Sequence, residues 1–399
     1  MTLRADATAL HEDLVTLRRE LHQIPEVGLD LPRTQERVLA ALDGLPLEIG
    51  TGKALSSVTA VLRGGKAAAG ERPVVLLRGD MDALPVGEKS GEPFSSRHEG
   101  AMHACGHDLH TAGLVGAARL LCAHRDELAG DVVFMFQPGE EGFDGAGHMI
   151  AEGVLEAAGR PADYAYGLHV TSSLFARGVF TSRPGPFMAA SAGLFVRVVG
   201  AGGHGARPHD ARDPIPAACE MVGALQTMLT RRFDSADPVV LTVGMFHAGV
   251  KRNVIPDDAT FEATIRAFST QTRDRIGELA VQLCQHLAAA HGVEVEVRFE
   301  GEYPATVNNA AEYEFVADTA RDVFGEERFS LMDKPLTGSE DFSRVLAAVP
   351  GSYMFLGACA GDPASSPPNH SARAVFDDSV LGDAAAMLAE LAARRLTGA

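Results

Sequence analysis

Hydrophobic residues in the first 185 positions follow two different periods. Leu10, Leu14, Leu17 and Leu21 recur at the spacing of one helical face, which predicts a helix over about 8–22, stopped by Pro25. Short continuous apolar runs at 58–62, 74–77 and 132–136 have the pattern of strands buried on both faces. Small residues crowd 111–121, as in a helix lying close against a sheet. This alternation predicts an α/β fold whose mixed, mostly parallel sheet carries helices on both faces. The character changes at Pro184-Gly185-Pro186. A strand (193–199), a helix (215–231), two strands (239–246 and 259–268), a helix (272–291) and a strand (293–299) follow, the βαββαβ order of a ferredoxin-like layer. Mixed α/β character resumes at Pro304 and ends in a helix over about 384–395. The expected organisation is a discontinuous catalytic domain, 1–185 plus 304–399, carrying an inserted lid and dimerisation domain, 186–303. Ala67-Ala68-Ala69-Gly70 reads as a hairpin tip.

Composition narrows the function classes. At 399 residues the chain exceeds what one core usually fills, in keeping with two domains. A formal charge of −18 argues against nucleic acid or an anionic membrane surface as partner. No apolar stretch approaches the ~18 residues of a membrane span. The first twenty residues are charged throughout and lack the apolar core of a signal peptide. Five cysteines, odd in number and scattered, make no disulfide framework, so a reducing cytoplasmic location is expected. Cys122, Cys219, Cys284 and Cys359 read as small buried apolar residues.

Two segments carry most of the chemistry: Cys105-Gly106-His107-Asp108-Leu109-His110 and Gln137-Pro138-Gly139-Glu140-Glu141. Each follows a predicted buried strand, and ligands of open α/β sheets collect beyond the strands' carboxyl ends. Cys105 and His107, one residue apart, can face one point. Glu141 supplies a carboxylate, His169 follows a short apolar run, and His370 sits in a Pro-Pro-Asn-His-Ser loop. Such a sulfur, nitrogen and oxygen set suits Zn²⁺, with Mn²⁺, Co²⁺ or Ni²⁺ as alternatives. Five ligands exceed the need of one catalytic ion, and a bridging ligand makes two ions natural.

The motifs taken together resemble the amidohydrolase branch of the dinuclear metallopeptidase family that contains aminoacylases, bacterial glutamate carboxypeptidase and dipeptidases. Hippurate hydrolases, N-acyl-amino-acid deacylases and auxin-conjugate hydrolases are the nearest branches. The resemblance spans Arg19–Glu26, Arg78–Pro85, Met102–Asp108, Gly139–Glu141, Gly202–His204, Asn253–Asp257, Gly338–Phe342 and Asn369-His370. It implies Cys105, His107, Glu141, His169 and His370 as ligands of two divalent ions, with Cys105 bridging. It implies Glu140 as general base and then acid, assisted by Asp82, or by Asp80, which stands where the wider family has a metal-binding histidine. Ala201 replaces the family's lysine. His204 is implied as an oxyanion donor that often reaches the partner subunit's site in a homodimer. Asn253 and Arg266 are implied to hold the substrate carboxylate, although Arg266 also reads as a structural ion-pair residue. Gly338 is expected to line the pocket, since glycine allows close backbone approach. The expected activity is hydrolysis of small-molecule N-acyl amino acids. Dipeptidase or carboxypeptidase cleavage is the alternative, and a catalytically silent metal-stabilised scaffold is a third reading that the retained Glu140 disfavours.

Overall fold

A computed structural model describes residues 3–68 and 70–397; Ala69, within the expected hairpin tip, lies outside them. By its internal contacts the chain forms two compact units, Met1–Gly185 with Val307–Lys334 and Asp341–Ala399, and Pro186–Thr306 with Pro335–Glu340.

The first unit is built on an eight-stranded mixed sheet. Its spatial order is Leu47–Thr51, Val58–Arg63, Asp131–Gln137, Val74–Asp80, Tyr164–Thr171, Gly351–Gly357, Phe180–Ser182 and Phe329–Leu331. The middle four strands run parallel to one another, and each is fully or almost fully buried. That explains their unbroken apolar sequence: neither face meets water. Helix His107–Ala123 lies beside them with all but two of its residues buried, so its surface is made of alanine, glycine and leucine. The long first helix expected over 8–22 is two helices, Leu3–Ala9 and His11–His22. The chain tightens between them, where the Leu10 N–H bonds Ala7 O three residues back instead of four.

The second unit is a four-stranded antiparallel sheet in the order Val239–Ala248, Asp258–Ala267, Ala190–Val199, Glu294–Gly301. Helices Pro214–Arg232 and Thr270–His291 pack on it, and Asp213 and Ser269 cap their N-termini. The strand order and connections are ferredoxin-like. Its first and last strands are neighbours: Ala192 opposes Gly301, and Ser191 exchanges backbone hydrogen bonds with Glu302 and Tyr303. Cys219 faces solvent on its helix, unlike the buried Cys122, Cys284 and Cys359. No helix among the described residues is long and apolar enough to cross a membrane.

Candidate metal centre

Parallel pairing brings the C-terminal ends of the central strands to one edge. Val74–Asp80 delivers Asp80, with Asp82 two residues on. Asp131–Gln137 runs into Glu140 and Glu141, and Tyr164–Thr171 carries His169. Cys105 and His107 come from the turn that opens helix His107–Ala123. That turn needs Gly106, at φ +84°, where a Cβ would lie 2.5 Å from Val170 Cγ2. Gly139, at φ +72°, turns the chain into Glu140 under similar crowding from Leu29.

The five expected ligands converge in two sets. Donor atoms of Cys105, His107 and His169 lie within 4.8 Å of one another, and so do those of Cys105, Glu141 and His370. The Cys105 sulfur is common to both. It lies 3.4 Å from His169 Nε2, while His370 Nε2 lies 3.1 Å from Glu141 Oε1. Both ring nitrogens of His107 are buried and meet no partner at hydrogen-bonding geometry, Asp82 Oδ1 lying 3.5 Å from Nδ1 and Asp80 Oδ2 3.7 Å from Nε2. Unsatisfied buried polar atoms are costly. A divalent cation held among thiolate, imidazole and carboxylate satisfies them together, so the donors fit such an ion.

The electrostatics agree. Burial alone would depress the pKa of His107, but the Asp80 carboxylate, with Asp82 and Cys105, lifts it well above the usual imidazole value. The Cys105 and Glu141 side chains raise His370 to about 10. This edge of the sheet therefore draws positive charge onto His107 and His370. Burial, reinforced by His110, pushes His169 well below the usual value, leaving a neutral imidazole suited to ligation.

The two acidic positions have different surroundings. Asp82 accepts the Glu140 N–H at 3.0 Å and the Glu141 N–H at 3.1 Å, one on each oxygen, and so fixes the turn that presents both glutamates. Asp80 faces inward. Its carboxylate meets Arg78 Nη1 at 2.6 Å and His110 Nδ1 at 2.5 Å. Because His110 Nε2 accepts the Val170 N–H at 2.7 Å, its Nδ1–H is the donor to Asp80. Burial opposes ionisation of Asp80, but Arg78, His107 and His110 outweigh it and hold the carboxyl well below the usual range.

The sequence assigned no role to Arg78, to His110, to Asn369, whose Nδ2 donates to Cys105 O at 3.2 Å, or to Asp341, which lies 3.2 Å from Arg78 Nη2. Helix His11–His22 also reaches the site's underside. Arg18 Nε and His22 Nδ1 each lie 2.7 Å from buried Asp108, the neighbour of His107. Burial lowers His22, yet Asp108 holds its pKa up at about 9. Membership of quoted motifs or segments was the available signal for Arg78, His110, Asp341, Asn369 and His22.

In the second unit His204 pairs with Val254 across a two-residue ladder, and the Asn253 carbonyl accepts the Gly205 N–H at 2.9 Å. His204 and Asn253 thus share one exposed loop cluster. Ala206 N–H donates to His204 Nδ1 at 3.1 Å, which leaves the proton of the neutral ring on Nε2. Arg266 is elsewhere. Asp258 pairs with Val199, near that cluster, and Arg266 pairs with Ser191 at the other end of the strand. At about 3.4 Å per residue the separation is roughly 27 Å. The Arg266 guanidinium bonds Thr264 Oγ1 and Ile265 O of its own strand rather than a carboxylate. Gly338 is exposed, and its carbonyl accepts the Ala189 N–H at 2.9 Å.

Comparison with known proteins agrees with this centre. Residues 76–394 match the model of peptidase family M20/M25/M40. The chain is 36% identical over 383 residues to thermostable carboxypeptidase 1 of Saccharolobus solfataricus, covering 95% of this chain and 94% of that protein. It is 35% identical over 351 residues to N-acetyl-L-cysteine deacetylase of Bacillus subtilis, covering 88% and 81%. The crystal structure of Bacillus subtilis YXEP protein, a dinuclear metal binding peptidase from the M20 family, superposes with a TM-score of 0.82 at 29% identity, covering 98% and 99%. The order of motifs, the shared edge of donors and these likenesses lead to one statement: the chain belongs to peptidase family M20/M25/M40.

Proposed function

We propose that the protein is a metal-dependent amidohydrolase that cleaves N-acyl amino acids, with acetyl, benzoyl or similar acyl groups, to a carboxylate and a free amino acid. The observation that carries this reading is the pair of donor sets sharing the Cys105 sulfur, with Glu140 next in sequence to one of their members. Cys105, His107, His169, Glu141 and His370 would hold two divalent ions, with Zn²⁺, Mn²⁺, Co²⁺ and Ni²⁺ all compatible with the donors. Ions of this kind supply an acidified water and polarise the amide carbonyl. Glu140, which this reading leaves outside the ligand set although its carboxylate lies within 4.8 Å of the donors of His107 and Glu141, would accept a proton from the attacking water and return it to the leaving amine. Asp82 holds the Glu140 backbone in place for both transfers, and Asp80 supports the site from behind through Arg78 and His110.

His204, with its proton on Nε2, donates to the developing oxyanion. Arg266 and Asn253 recognise the free α-carboxylate, for which a guanidinium fork is suited, and Gly338 gives the substrate room at the backbone. A small acyl amino acid cannot touch both ends of a strand roughly 27 Å long. In this reading, therefore, one subunit supplies Arg266 while its partner supplies His204 and Asn253, and the enzyme is a homodimer. Edge strand Val239–Ala248, which exposes Val240, Met245 and Phe246, offers a pairing surface on the inserted unit. Mixing the individually inactive His204→Ala and Glu140→Gln variants should restore turnover through hybrid dimers. Sedimentation of a fully active monomer at assay concentration would exclude the arrangement.

A second reading, carboxypeptidase or dipeptidase cleavage, is favoured by the likeness to thermostable carboxypeptidase 1. Assaying N-acetyl- and N-benzoyl-amino acids beside dipeptides and longer peptides separates the two. Preferred turnover of the acyl amino acids is expected, and activity confined to peptides with free N-termini would replace the first reading by the second. Arg266→Ala should mainly raise KM for substrates with a free α-carboxylate and change their amidated analogues far less. Equal losses on both would return Arg266 to a structural role.

A further inference from the structure

Asn369 stands beside the expected ligand His370, and its side chain ties together three segments that are distant in sequence. Its Oδ1 accepts the Ser172 N–H at 2.9 Å, just beyond the strand that carries His169. Its Nδ2 donates to Val170 O at 3.1 Å, to Cys105 O at 3.2 Å and towards Cys105 Sγ at 3.8 Å. The amide orientation is fixed by these partners: a backbone N–H must meet the oxygen, and two carbonyls must meet the NH₂. Ser172 Oγ reinforces the clasp through Pro367 O at 2.8 Å and Asn369 Oδ1 at 3.1 Å. His370 follows at φ +70°, a conformation uncommon for a residue with a side chain, with its N–H on Ala104 O at 2.8 Å. Such a backbone persists only where its surroundings determine it. Asn369 is the adjoining residue, and it is anchored on both neighbouring segments.

We infer that Asn369 is a positioning residue that fixes the orientation of the shared Cys105 sulfur and completes the donor set formed with Glu141 and His370. Its Nδ2–H points at the atom common to both sets, and its clasp holds the His370 loop against the turn that carries that atom. Hydrogen bonds of this kind to metal-binding groups typically alter metal affinity 10–100-fold. The inference rests on the proposed ligand assignment, and the experiment separates the two.

The Zn²⁺-loaded enzyme is titrated with a chelator while zinc release is followed. The Co²⁺-loaded enzyme is examined in parallel for thiolate-to-cobalt charge-transfer absorption. In Asn369→Ala, one of the two equivalents should leave at a chelator concentration roughly 10–100-fold lower, and the charge-transfer band should shift. Asn369→Asp keeps an acceptor for Ser172 but turns an oxygen towards the sulfur and the carbonyls, and should lose metal at least as readily. Ser172→Ala keeps the Asn369 amide and loosens only its anchor, so it should show a smaller change in the same direction. That variant also decides the matter if both Asn369 variants fail to fold. Wild-type release curves and an unshifted band in all variants that fold would overturn the inference. A wild-type enzyme that holds fewer than two equivalents, or that has no Cys105-dependent band, would instead overturn the ligand assignment beneath it.

Discussion

Glu140→Gln is expected to lower kcat by about 10²-fold or more while fold and metal content stay at wild-type levels, the scale typical of lost acid–base catalysis. Glutamine has nearly the same shape and leaves untouched the Glu140 N–H that Asp82 accepts, so the turn keeps its geometry. What disappears is the capacity to accept and return a proton. Glu141 is a poor substitute, because its carboxylate is turned towards His370 and His107. Steady-state kinetics with elemental analysis of the same preparation tests this. Turnover near wild type with full metal would remove Glu140 from the base role, whereas lost metal would move it into the ligand set.

Arg78→Leu should be the most damaging substitution for stability. Arg78 is fully buried; it bonds Asp80 at 2.6 Å, Gln137 Oε1 at 2.9 Å, Tyr353 Oη at 3.1 Å and Asp341 at 3.2 Å. Asp341 in turn accepts the Gln137 amide and the Ala146 N–H. Leucine withdraws the guanidinium from two carboxylates that water cannot reach. Removing one partner of a buried ion pair costs ~3–5 kcal/mol, and at roughly 2–4 °C per kcal/mol for a unit of this size the melting temperature should fall by about 10 °C. Arg78→Lys, which keeps the charge but loses the planar fork, should fall between the two. A thermal melt of the leucine variant that overlays wild type would show that the network behind Asp80 does not bear on stability.

Arg78 also marks where the sequence stops being legible. The apolar run ends at Leu77, but the strand continues through Arg78, Gly79 and Asp80, all buried. A charge is read as the end of a buried strand because an isolated ion would not be tolerated there. Arg78 is tolerated because Asp341 lies 263 residues away in sequence but 3.2 Å away in space, a pairing that no local pattern encodes. The roles of Asn369 and His110 were not legible for the same reason: each is defined by tertiary hydrogen bonds, to Ser172, Val170 and Cys105 in one case and to Asp80 and Val170 in the other. The convergence of Cys105, His107, His169, Glu141 and His370 was legible because cysteine, histidine and glutamate beside glycine turns are chemically conspicuous after buried strands. The inserted layer was legible because its elements are local and strongly periodic. The break at Leu10 was not, since a single tightened turn leaves the helical spacing of leucines intact.

The pairing of the second unit's first and last strands bears on how the candidate metal centre is assembled. Strands Tyr164–Thr171 and Gly351–Gly357 lie side by side, so forming that pair closes a loop of roughly 180 residues. If residues 186–303 have already folded with Ala192 opposite Gly301, the loop shortens to an effective length of roughly 70. Closure entropy grows only as (3/2)RT ln n, so this shortening, by a factor of about 2.5, is worth about 0.8 kcal/mol, and further growth of the insert would add almost nothing. An insertion that closes on its own ends is nearly invisible to the chain entropy of its host. Its loops, including the one bearing His204 and Asn253, are thereby free to diversify without altering the cost of bringing His169 and His370 together around Cys105.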